Sequence, residues 1–116
     1  MALELYIEEY HELAVLTLAG TVLASTASYL QETVTTLLQN GHTRIVIDCE
    51  NLISINSDGL AILSDLVRIL ASNEIEGRIV LCNTSTNIRD LIHLSGLDQF
   101  IETVPDKGDA IDRIMH

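Results

Sequence analysis

Over residues 3–9, Leu3, Leu5 and Ile7 alternate with Glu4, Tyr6 and Glu8, the period of two that marks a half-exposed strand. Leu13, Val15, Leu16 and Leu18 predict a second strand over 13–19. The short polar link Tyr10-His11-Glu12 makes the two an antiparallel hairpin, and Gly20 reads as its end. From Ser25 or Thr26 to about Gln39 the pattern turns helical, with Ala27, Leu30, Val34, Leu37 and Leu38 on one face. Ser25 or Thr26 is the predicted N-cap and Gly41 the predicted stop. Ile45, Val46 and Ile47 then form a β-branched run closed by Asp48, and Leu60, Leu63, Val67 and Leu70 recur at helical steps.

After Gly77, Arg78 to Cys82 is again almost continuously apolar. Strand, helix, strand in this order predicts a right-handed parallel crossover. Thr84, Ser85 or Thr86 can cap a further helix running to about Leu94, with Ile88, Leu91 and Ile92 inward and Ser95-Gly96-Leu97 as its stop. Gln99 to Thr103 reads as a fifth strand, Pro105 as punctuation, and Asp109 to Met115 as a last helix carrying Ile111 and Ile114. No linker, repeat or low-complexity segment interrupts the pattern. The expectation is a single α/β domain over 1–116, with a mixed sheet of about five strands and about four helices.

Composition narrows what such a domain does. At 116 residues and 47% hydrophobic it can bury a core without metal or disulfide staples, and with 3% aromatics that core is aliphatic. Seventeen acidic against six basic residues give a formal net charge of -11, and no Lys/Arg cluster offsets it locally. Nucleic acid and anionic lipid are therefore poor partners, whereas a protein with a basic surface fits; the same acidity also serves solubility. No apolar run reaches the roughly 20 residues of a membrane span, so no direct membrane insertion is expected. The acidic N-terminus MALELYIEEYHE does not resemble an export signal, and the expected location is cytoplasmic. Cys49 and Cys82 lack CxxC spacing and read as buried, reduced and structural. His11, His42, His93 and His116 are scattered without ligand spacing, so no metal or cofactor is assigned.

The four residues Asn56-Ser57-Asp58-Gly59 stand between the central strand and its helix. They can be a cap and tight turn, with Gly59 allowing close backbone approach. The same geometry also suits chemistry: a serine at a helix start is exposed, and free N–H groups with the positive end of the macrodipole stabilise a phosphate there. Phosphorylation would add about −1.5 to −2 charges to a surface that binds a partner. Enzymatic readings fare worse. There is no GxSxG elbow around Ser57, no GxxxxGK[ST] loop and no GxGxxG. Asp48 is placed like a receiver-domain phosphoacceptor, but Gly20-Thr21-Val22 supplies none of the acids that would hold its magnesium ion. No catalytic set is found, and the chain is not expected to be an enzyme.

The stretch IVIDCENLISINSDGLAIL resembles the signature of STAS domains of the bacterial anti-sigma factor antagonist type: an apolar strand, an acidic-polar loop, then Asp-Ser-Ser/Thr-Gly-Leu opening a helix. The Gly20 turn with Thr26-Ala27, the strand Arg78-Ile79-Val80-Leu81-Cys82 and the late Leu94-Ser95-Gly96-Leu97 extend the resemblance over nearly the whole chain. The resemblance implies that Ser57 is phosphorylated by a partner that is both a GHKL-type serine kinase and an anti-sigma factor. It further implies that unmodified protein binds this kinase and frees its sigma factor, that phosphate breaks the complex, and that a PP2C-type phosphatase restores it. Ser54, Asn56, Ser57, Asp58, Gly59, Ala61, Ser64 and Asp65 are the expected partner-binding residues. Three positions depart from the family pattern. Asn56 replaces the motif's Asp, Asp58 replaces its second Ser/Thr, and Leu23 stands where many members carry an acid. The first two leave open an alternative, a non-switched STAS scaffold or a transporter-associated subunit.

Overall fold

The computed structural model describes residues 3–72 and 77–116. Its order is β1 (Glu4–Tyr10), β2 (Leu13–Val22), α1 (Ala24–Gln39), β3 (Arg44–Ile55), α2 (Ser57–Ser72), β4 (Arg78–Cys82), α3 (Thr86–Leu94), a 3-10 turn (Leu97–Gln99), β5 (Glu102–Val104) and α4 (Lys107–Met115). The strands lie side by side as β1-β2-β3-β4-β5, with β1 antiparallel to β2 and every other neighbouring pair parallel. This is the mixed five-stranded sheet with four helices that the patterning predicts.

Alternation along the strands sorts the core into two layers. Ala14, Leu16 and Leu18 of β2, Ile45, Ile47 and Cys49 of β3, and Ile79 and Leu81 of β4 point to the face covered by α1, α2 and α3. Leu13, Val15, Val46, Val80 and Cys82 point the other way and meet Ala110 and Ile114 of α4. Because both faces of β3 and β4 are covered, these strands read as continuous apolar runs rather than alternating ones. Cys49 and Cys82 are buried and unpaired, and burial pushes both thiols up to about 12.

Several boundaries differ from the sequence reading, each for a local reason. Gly20 does not end β2, which continues to Val22 with Gly20 inside it at φ +113°. Asp48 does not close β3. It is buried mid-strand, its Oδ1 accepting the Glu50 N–H and the Asn83 side-chain amide, each at 3.0 Å, and β3 runs on to Ile55. Helix α1 starts at Ala24 with Leu23 as N-cap, two or three residues before the expected caps Ser25 or Thr26. Thr26 acts from inside the first turn, its Oγ1 accepting the Leu23 N–H at 2.8 Å. On α2, Leu66 joins Leu63 in the core while Leu60, Ile62 and Val67 pack around them; the side chain of Leu70 lies outside the described residues. Ile88 and Ile92 of α3 are buried but Leu91 is exposed. The fifth strand is Glu102–Val104, and α4 begins two residues before Asp109 because Asp106 caps it, accepting the Asp109 N–H at 2.8 Å.

Helix α4 is held at its C-terminal end by two arginines that are register partners on adjacent strands. Arg44 donates to the Ile114 carbonyl and Arg78 to the Arg113 carbonyl at 3.2 Å, so cations satisfy carbonyls of the last turn. Glu102 bridges Arg78 and Arg113 at 3.0 and 3.2 Å. Each arginine is partly exposed, which discounts the bond strength. Replacing Arg44 or Arg78 by Ala is expected to cost about 1 kcal/mol in urea unfolding, and to accelerate amide exchange in α4 more than in α1; unchanged α4 exchange would remove this role.

Candidate functional site

The strand β3 reaches the candidate turn only by breaking its own register. From Thr17↔Asp48 to Ala19↔Asn51, β2 advances two residues while β3 advances three; from Gly20↔Leu52 to Thr21↔Ser54, β2 advances one and β3 two. Each mismatch is a bulge, which bends the strand and re-aims a side chain. Beyond Asp48↔Cys82 no pairing with β4 is recorded among the described residues, so the last residues of β3 project past the sheet as a ribbon held by β2 alone.

At the tip of that ribbon the chain turns into α2. The Asn56 N–H donates to the Val22 carbonyl at 3.1 Å, tying the turn to the end of β2. Asn56 Oδ1 accepts the Gly59 N–H at 3.0 Å and its carbonyl accepts the Leu60 N–H at 3.0 Å, so Asn56 is the helix N-cap. Ser57 is then the first helical residue and is exposed, with exposed Asp58 after it. Among the described residues, no partner is found for the backbone N–H groups of Ser57 and Asp58. These are the donors that a first helical turn leaves free, aligned with the positive end of a 16-residue helix.

Gly59 fixes how close this helix start comes to the sheet. A Cβ there would lie 2.5 Å from Ile55 Cγ1 and 2.7 Å from Val22 Cγ1, so no larger residue fits without displacing two buried side chains. The bond from Asn56 to Val22 and the bare Gly59 Cα together hold the Ser57 hydroxyl on the surface.

The other expected partner residues separate by exposure. Ser54 is exposed, its Oγ 3.4 Å from Thr21 Oγ1, and Ala61 is exposed. Asn56, Ser64 and Asp65 are half-buried, Asp65 accepting from Arg68 at 2.7 Å. Gly59 is buried and shapes the turn through its close approach to Ile55 and Val22. Leu23 is half-buried as the α1 N-cap, and Thr26 Oγ1 also donates to the Thr21 carbonyl at 3.0 Å. Sequence reasoning missed Ile53, which is 64% exposed at the second bulge. A signal was present: Leu52 and Ile55 are both core-like and three apart, which a regular period of two does not allow. Among the described residues, no group of three or more His, Cys, Asp or Glu side chains is arranged to hold a metal ion.

The family model for the STAS domain matches residues 4–110. Among solved structures, an anti-sigma factor antagonist from Mycobacterium paratuberculosis superposes with TM-score 0.86 at 23% identity, covering 99% of this chain and 96% of that one. A putative anti-sigma factor antagonist from Thermotoga maritima gives 0.86 at 15% identity, covering 97% and 95%. The Bacillus cell fate determinant SpoIIAA in its phosphorylated form gives 0.73 at 25% identity, covering 96% and 99%. No curated relative matches the sequence significantly.

If the junction is as tight as this, Gly59→Ala destabilises the protein by about 1–3 kcal/mol through overpacking. Asn56→Ala costs about 1 kcal/mol as a lost cap, whereas Asn56→Asp is near neutral because either oxygen accepts the same N–H. Urea unfolding of the three variants checks this; a silent Gly59→Ala would contradict the close approach.

Proposed function

The chain belongs to the STAS domain family, and within it we propose that this protein is a phosphorylation-switched anti-sigma factor antagonist with Ser57 as its phosphoacceptor. The observation that carries the reading is the exposed Ser57 hydroxyl at the first position of α2, with unpartnered N–H groups beside it. Unmodified, the protein binds a GHKL-type serine kinase that is also an anti-sigma factor, displacing the captive sigma factor. The kinase transfers the γ-phosphoryl group of ATP to Ser57 Oγ. The added charge, about −1.5 to −2, lies in the docking surface and disrupts it. A PP2C-type phosphatase removes the phosphate and restores binding. The chain is thus a substrate and a switch, acting in the cytoplasm, and not itself an enzyme.

The position of the acid tunes this switch. In the first turn Asp58 is favourable to the helix but repels a neighbouring phosphate, while neutral Asn56 does not. Phosphate on Ser57 therefore meets a like charge on its helical side. Arg68 is distant along α2 and engaged with Asp65, so it offers no nearby counter-charge. The free N–H groups at the helix start are the available stabilisation.

The test is incubation with ATP and each GHKL-type serine kinase of the source organism, with phosphate mapped by mass spectrometry. Label is expected on Ser57 and absent in Ser57→Ala. Ser57→Asp is expected to weaken kinase binding about tenfold or more. Label elsewhere, or unchanged affinity of Ser57→Asp by calorimetry, would remove the switch.

A further inference from the structure

We propose that Ile53 is an apolar anchor through which the serine kinase holds this chain while Ser57 is presented to it. This deepens the reading above and rests on it. Ile53 is 64% exposed, belongs to neither core layer nor to the partly buried side chains around them, and has no cross-strand partner on β2. The second bulge of β3 is what puts it there. In a regular strand the residue after buried Leu52 would pair with β2 in step; here the extra residue is expelled from the ladder and turned to water.

The surroundings of Ile53 are suited to docking. It sits on the ribbon that extends past the end of β4, so its strand has an open edge on that side among the described residues. It lies four residues before Ser57 on the same strand-to-helix junction, which also carries exposed Ser54 and Asp58. Glu50 on the same ribbon and Asp58 at the helix start, both exposed, make the surroundings acidic, in a chain of net charge -11. The matching surface is therefore an apolar pocket flanked by Lys or Arg side chains. Such an anchor contributes equally to ground-state and transition-state binding of the protein substrate, because it is remote from the phosphoryl group in transfer. Its loss then raises KM and leaves kcat alone.

The experiment is phosphorylation kinetics on the full chain with the GHKL-type serine kinase and ATP. It compares wild type, Ile53→Val, Ile53→Thr and Ile53→Ser, each first checked for an unchanged thermal unfolding midpoint. Ile53→Thr keeps the β-branched shape of the strand, so it separates loss of apolar contact from any effect on folding. The expected result is KM rising in the order Val, Thr, Ser, to about tenfold for Ser, with kcat little changed. Wild-type KM in Ile53→Ser, with Ser57 labelled normally, overturns the anchor and leaves the switch standing. A fall in kcat at unchanged KM also overturns it. Absence of any label on wild-type Ser57 overturns the switch and the anchor together. A wild-type dimer in light scattering that Ile53→Ser dissociates would assign Ile53 to self-association and overturn the proposal.

Discussion

The contact on which this structure turns is the close approach of Gly59 to the side chains of Ile55 and Val22. It joins the last residue of β3, the last residue of β2 and the first turn of α2 in one small volume. The Asn56 N–H on the Val22 carbonyl closes the same junction from the backbone side. Two independent constraints, one steric and one directional, thus determine where α2 begins and which way its first residue faces. Ser57 is exposed as a consequence: with residues 55 and 59 turned into the core and 56 used as the cap, its side chain is left facing water.

Much of this was legible in the residues. The hairpin, the apolar crossover from β3 through α2 to β4, and the capping residues before α2 and α3 all carry local signals that tertiary packing did not override. What escaped was the second half of β3. A strand is recognised by a period of two, and two bulges destroy that period while keeping the strand extended. Asp48 compounded the misreading, since a buried carboxylate looks like a strand end until Asn83 and the Glu50 N–H are seen to satisfy it. The start of α1 was misplaced for a related reason. Thr26 caps from within the first turn by accepting the Leu23 N–H, so a polar residue marked the third helical position and not the first. The candidate turn itself was legible as a cap and Gly59 as a point of close backbone approach; which side chains meet Gly59, and that the broken period between Leu52 and Ile55 turns Ile53 to water, required coordinates.

The bulged ribbon and the helix start act as one unit. The bulges shift β3 along β2 and leave an isoleucine outside the ladder, and the junction then presents a serine within a few residues of it. Exchange of the acid between positions 56 and 58 leaves this geometry intact, because an asparagine caps a helix as well as an aspartate does. What changes is electrostatic: the negative side chain follows the hydroxyl instead of preceding it. The cap geometry of the turn is thus separable from its charge, and the two can vary independently.

The central claim is that a phosphate on this one hydroxyl controls association. The most direct measurement is titration calorimetry of the GHKL-type kinase against unmodified protein, against protein stoichiometrically phosphorylated on Ser57, and against the same sample after PP2C-type phosphatase treatment. The account predicts tight, weak and again tight binding in that sequence. Equal affinity in all three samples would contradict it.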